Sequence, residues 1–128
     1  MRNFFTIVLT LINLFIYGKT FVSVSDGAWD NPSIWDLNDG TYPSLTDDVI
    51  LNHTVTARSS DNSETRALTI NASGVLNLNS SYEFRFRESS GTLNNNGTIN
   101  GPGTIRPVPV STLGGSGTYS NVSVRKTN

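Results

Sequence analysis

The chain has no cysteine. That excludes disulfides, thiolate metal sites, a cysteine nucleophile and a lipid-modified N-terminal cysteine together. It has one histidine, His53, and a single imidazole holds zinc only with several carboxylates beside it. Charge is scarce: charged residues are 15% of the 128, and nine basic against ten acidic side chains leave a net charge of -1. With neither sign dominant, composition offers no electrostatic reason to bind nucleic acid or an anionic membrane. A helical repeat of apolar residues is also missing from Asp48 onward, which leaves an all-β reading.

What is present begins with an apolar leader. Arg2 and the free amine make a short positive region. Phe4 to Tyr17 is then apolar except for Thr6, Thr10 and Asn13, and the small residue Gly18 precedes a polar stretch from Lys19. This order predicts a secretory signal peptide over residues 1–18, cleaved near Gly18. A transmembrane anchor is the alternative, but the run falls short of the ~20 residues that span a hydrocarbon core. Cleavage would leave a secreted or cell-surface chain with no membrane segment. Losing Arg2 would leave eight basic and ten acidic side chains, a net charge of -2. A small exported domain without disulfides points to a bacterial source and to a fold stabilised by stacking.

Asn, Ser and Thr number 15, 16 and 15, with 11 Gly. Recurring β-branched and aromatic residues keep this polar chain out of the disordered class. Thr20 to Ser25 reads as a short strand. Asn31-Pro32 opens one helical turn through Ser33-Ile34-Trp35, with Asn31 as cap and Pro32 in first position. Val49, Leu51, Val55 and Ala57 share one parity. Leu68 with Ile70, and Leu76 with Leu78, make further short strands. From Tyr82 to Arg87 the aromatic side chains face one way and the charges the other. Val108 with Val110, and Val122 with Val124, end the pattern.

Between the strands a glycine followed by Thr or Val and an apolar residue recurs, at Gly74, Gly91, Gly97, Gly103 and Gly117. Glycine permits the positive φ of a tight corner, and Asn94, Asn95, Asn96 and Asn100 fit the same account because Asn tolerates that region. Strands this short suit the sides of a coil better than a two-sheet sandwich, whose strands usually run to about five or six residues. The expected fold is therefore an all-β, right-handed parallel β-helix (solenoid) with an N-terminal aromatic cap. Residues 19–47 would form the N-terminal strand and cap. Residues 48–128 would form roughly four turns of about 20 residues, with Asn ladders between turns.

Gly27-Ala28-Trp29-Asp30-Asn31-Pro32-Ser33-Ile34-Trp35 and Tyr42-Pro43-Ser44-Leu45-Thr46-Asp47-Asp48-Val49-Ile50-Leu51-Asn52-His53-Thr54-Val55-Thr56 form one pattern. With Leu68-Thr69-Ile70, Gly74-Val75-Leu76 and the later Asn-Asn-Gly-Thr-Ile unit, it resembles the N-terminal β-helical domain of secreted Bacteroidetes surface proteins. It is also similar to the related eight-glycine domain of animal cell-surface and hyaluronan-associated proteins, but holds fewer glycines than that name requires. The likeness spans most of Gly27 to Ile105; its Trp and Pro-Asp-Asp parts are the specific ones. It implies a coil whose open end is covered by Trp29, Trp35 and Tyr42. Proteins of the bacterial group are often long, and many end in a sorting domain for type IX secretion, so this chain reads as either a whole protein or the front of one.

Trp29, Trp35 and Tyr42 are also the residues that would stack on sugar rings, although buried aromatics need no ligand to explain them. His53 lies in strand parity or at a turn, and no nucleophile-elbow motif supports a Ser-His-Asp triad. Asp36-Leu37-Asn38-Asp39-Gly40 is part of a calcium-loop pattern without its closing Glu, and reads better as a loop satisfying its own backbone. Asp47-Asp48 would hydrogen-bond the start of the coil. Glu83 and Glu88 have opposite parity and read as surface charges paired with Arg85 and Arg87, not as a glycosidase pair. These features predict a non-catalytic structural or adhesive module of an exported protein, with no metal and no cofactor, whose partner would be an extracellular glycan or surface. The alternative is a carbohydrate-binding or polysaccharide-acting β-helix protein.

Overall fold

Period-two alternation over very short runs dictates strands that bury one or two side chains each, and such strands are stable only when stacked. The computed structural model describes residues 18–79, 81–86, 91–107 and 112–125. The leader before Gly18, Arg87, Glu88, Val108 and Val110 lie outside the described residues.

In chain order the strands are β1 (Thr20–Val22) and β2 (Gly27–Ala28), then β3 (Asp48–Leu51), β4 (Thr54–Thr56) and β5 (Ser63–Thr65). Next come β6 (Ala67–Ile70), β7 (Val75–Asn77) and β8 (Glu83–Phe86), then β9 (Thr92–Asn95), β10 (Thr98–Asn100) and β11 (Thr104–Arg106). The last are β12 (Thr112–Gly114), β13 (Thr118–Ser120) and β14 (Ser123–Val124). They stack into three parallel sheets, β1-β3-β6-β9-β12, β2-β4-β7-β10-β13 and β5-β8-β11-β14. Each group of three consecutive strands from β3 is thus one turn of a β-solenoid. The three turns from β3 to β11 are filled with side chains; β12–β14 lie on the last of them with their residues exposed.

Register makes the core a set of columns. Phe21, Val49, Leu68, Leu93 and Leu113 stack down the first sheet. Val55, Leu76, Ile99 and Tyr119 stack down the second, and Ser63, Phe84, Ile105 and Val124 down the third. Fully burying one such aliphatic or aromatic side chain contributes about 1.5–3 kcal/mol. Across the corner at Asn52-His53, Val49, Leu51, Val55 and Ala57 all remain inside.

The corners obey a different rule from the one expected. Among the described residues positive φ occurs at Asn38, Gly40, Gly115 and Asn121. It does not occur at Gly74, Gly97, Gly103 or Gly117, nor at Asn94, Asn95, Asn96 or Asn100. The corner glycines are selected by crowding instead. A Cβ on Gly97 would run into the carbonyl oxygens of Gly74 and Asn71, and one on Gly74 or Gly117 into those of Leu51 or Gly97. Those are the places where one coil's backbone lies directly on the next: Thr98 N donates to Gly74 O at 3.1 Å and Thr118 N to Gly97 O at 2.9 Å. Tyr82 also departs from its expected parity, because it precedes β8 and is exposed, whereas Phe84 and Phe86 are buried. Ladders do link the turns, from Asn71 Nδ2 to Asn52 Oδ1 at 2.7 Å and from Asn100 Nδ2 to Asn77 Oδ1 at 3.0 Å.

Candidate functional site

The N-terminal end carries the densest cluster of unusual side chains. Asn31 caps a single 3-10 turn, Pro32–Ile34, accepting from Ser33 N at 3.1 Å, and that turn folds Trp35 back onto the coil. Trp29 and Trp35 are both buried and meet edge to face at 5.4 Å. Trp35 continues to Phe21 at 5.9 Å and Trp29 to Phe84 at 5.0 Å. Both indole nitrogens are satisfied internally, Trp29 Nε1 donating to Pro43 O and Trp35 Nε1 to Trp29 O. The two rings lie over the first complete turn, as a cap requires, and present no face to solvent. β1 and β2 of the same segment pair with β3 and β4, so it also contributes strands to the coil.

Of the three aromatic residues that could meet a sugar, only Tyr42 reaches the surface. The Arg58 guanidinium lies over its ring, 5.4 Å from the centroid. Arg58 is also 3.5 Å from Asp30 and from Asp61. A notch of about 150 Å³ opens here, bounded by Tyr42, Ser44, Arg58, Asn62 and Glu64. Tyr42 carried a sequence signal for this place; Arg58 did not, because only the coil brings it across from the second sheet.

Elsewhere, groups with chemical potential are committed to the backbone. Ser23 Oγ accepts from Asn52 N at 2.9 Å and His53 N at 3.2 Å. His53 Nδ1 lies 2.9 Å from Ser23 O; a carbonyl only accepts, so this nitrogen carries the proton. The arrangement fastens a corner, and a nucleophile–base pair would need the opposite proton placement. Asp36 Oδ1 accepts from Val22 N at 2.8 Å, and Asp39 takes Thr41 N and the Lys19 ammonium. The loop of Asp36 to Gly40 therefore satisfies backbone donors as expected of it. No group of three or more potential metal ligands occurs among the described residues.

On the third sheet Glu83 is bound by Arg85 at 2.9 Å and by Arg106 of the next turn at 3.3 Å. Burial opposes ionisation of Glu83, but the hydrogen bonds from Arg85 and Arg106 outweigh it and hold its carboxyl below the ordinary range. Asp48 is held by Arg66 through both oxygens, at 2.8 and 2.6 Å.

At the other end Leu113, Tyr119 and Val124, one from each sheet, are about two-fifths exposed above Leu93, Ile99 and Ile105. They border a cavity of about 380 Å³. Sequence reading missed the inward polar residues. Ser63 and Asn95 sit where apolar side chains stack in neighbouring turns. Their polar atoms are used, Ser63 Oγ by Arg58 N and Asn95 Oδ1 by Gly97 N, while Asn95 Nδ2 donates to Thr118 O of the next turn.

Comparison with protein-family models, curated proteins and solved structures finds no match to this chain.

Proposed function

We propose that this chain is a non-catalytic structural or adhesive module of an exported bacterial surface or secreted protein, holding a stiff, polar-faced coil outside the cell. The observation that carries the reading is the division of labour among polar side chains. Ser23, Asp26, Asp36, Asp47 and His53 fasten corners and the N-terminal segment. The outward sheet positions carry short hydroxyls and amides in register, such as Thr98 on Thr118 and Asn77 on Asn100. Cleaving a glycosidic bond needs an acid and a base or nucleophile facing one another across it. Glu83, on the outward side of the third sheet, is instead clamped between two arginines.

The test is a screen of the purified, exported chain against pectin, alginate, hyaluronan and xylan, with and without calcium. No product above a heat-denatured control is expected; turnover lost in Glu83→Gln or Asp48→Asn would overturn the reading. The notch beside Tyr42 favours a second reading, a carbohydrate-binding module. It predicts retardation in polysaccharide-containing gels that disappears in Tyr42→Ala while the melting temperature stays put.

A further inference from the structure

Asp47 is 7% exposed, the most buried of the acidic residues described. Its carboxylate receives three hydrogen bonds: Lys19 N to Oδ1 at 2.8 Å, and Ser44 N and Ser44 Oγ to Oδ2 at 2.8 and 2.9 Å. Among the described residues no cationic side chain pairs with it, although Asp39, Asp48 and Glu83, all more exposed, each have one. The oxygens of Asp47 are met, among the described residues, only by hydrogen-bond donors without formal charge, so a positive charge arising at this place would face a buried carboxylate directly. The nitrogen on its Oδ1 belongs to the residue directly after Gly18, where the leader is expected to be cut.

We propose that Asp47 is the buried receptor for the α-ammonium group created when the leader is removed at Gly18–Lys19. The inference rests on the export reading and adds to it a specific acceptor inside the fold. Hydrolysis breaks the amide bond between the Gly18 carbonyl carbon and the Lys19 nitrogen. Water supplies the hydroxyl that completes the Gly18 carboxyl and the proton that makes the Lys19 nitrogen an amine. A free α-amine, with an ordinary pKa of about 7.7–8.0, binds one more proton at neutral pH. The neutral N–H···O contact becomes an ammonium–carboxylate pair without any movement of the chain.

The rest of Lys19 is already held for this. Its carbonyl accepts from Asp48 N at 2.9 Å at the head of the β1–β3 ladder, and its Nζ reaches Asp39 at 2.6 Å. Gly18 lies so close to Thr46 that a Cβ there would overlap the Thr46 carbonyl. The position therefore takes glycine or a chain end. A cavity of about 380 Å³, bordered by Lys19, Thr41, Ser44 and Asp47, adjoins the site and gives the further ammonium hydrogens room for solvent.

Intact mass of the exported protein identifies its first residue. A start other than Lys19 overturns both the cleavage site and this inference. Three forms of the mature chain are then compared by urea denaturation: starting at Lys19, starting at Gly18, and starting at Lys19 with the α-amine acetylated. The Gly18 form keeps the charge but shifts it one residue. The folding constant should fall about tenfold in the last two forms, equivalent to losing a rise of about one unit in the α-amine pKa on folding, because the ammonium–carboxylate attraction goes while at most an amide N–H···carboxylate bond remains. In an Asp47→Asn background the three should coincide. Should that variant not fold, the rate of α-amine acylation serves instead: the folded Lys19 form should react at least about tenfold more slowly than the same chain in urea. A verified Lys19 start with three equal folding constants and no protection of the amine overturns this inference and leaves the export reading standing.

Discussion

Replacing Trp29 with alanine removes the ring that joins the N-terminal segment to the interior of the coil. The residue is fully buried, with rings of Trp35 and Phe84 edge to face at 5.4 and 5.0 Å. Ser63 occupies the column position above Phe84, and its small side chain leaves that ring to Trp29. Truncating a buried Trp costs about 3–5 kcal/mol. Two aromatic pairs, each worth ~0.5–1.5 kcal/mol beyond burial, place this one in the upper half, about 4–5 kcal/mol. Trp35 keeps its hydrogen bond, since its acceptor is the Trp29 carbonyl, so the change reports mainly on the ring. A chain of this size is stable by roughly 5–15 kcal/mol, so about a quarter or more of its stability should go. Urea denaturation should show the midpoint falling with an unchanged slope, and melting should drop by about 15 °C or more. Tyr42→Ala, on a half-exposed ring, is the control and should cost under ~1 kcal/mol. If Trp29→Ala stays within about 1 kcal/mol of the parent, the indole does not close the end of the coil and the reasoning fails.

Two further outcomes follow from the corners and the cap. Gly97→Ala forces a methyl against two carbonyls and should lose about 1–3 kcal/mol, whereas Gly114→Ala, whose new Cβ would have no neighbour nearer than 3.9 Å, should change stability by less than ~0.5 kcal/mol; equal effects would show that coil crowding does not select the corner glycines. The Lys19 ammonium, with Thr41 behind it, lowers the Asp39 carboxyl from 3.8 to about 2. Because the folded value lies below the unfolded one, this contact stabilises above pH 3.8 and is lost as pH falls through about 2. A carboxyl NMR titration of Asp39 should find that midpoint and see it rise in Lys19→Met; an unmoved midpoint would show that the ion pair is not the cause.

The parallel coil was legible in the residues because its physical requirement is local: a three- or four-residue strand must alternate, and Val49 with Leu51, Leu76 with Leu78, and Phe84 with Phe86 do so without reference to partners. The single turn after Asn31-Pro32 was legible for the same reason, since its cap and its proline act within one turn. Tertiary structure decided whatever depends on the neighbouring coil. Whether a corner glycine serves φ or close approach is set by the carbonyl of the turn above, which for Gly97 belongs to Gly74, more than twenty positions away in sequence. The inward place of Asn95 depends on an acceptor delivered by the next turn, Thr118 O, whereas Ser63 is satisfied within its own turn by Arg58 N. The candidate sites divide in the same way. Tyr42 and the tryptophans stand out by composition, but their burial, the placement of Arg58 over Tyr42 and the meeting of Lys19 N with Asp47 arise only when β1 pairs with β3 and the segment between them folds across the end. Side-chain periodicity is a property of one strand; a counter-charge or a steric limit is a property of two.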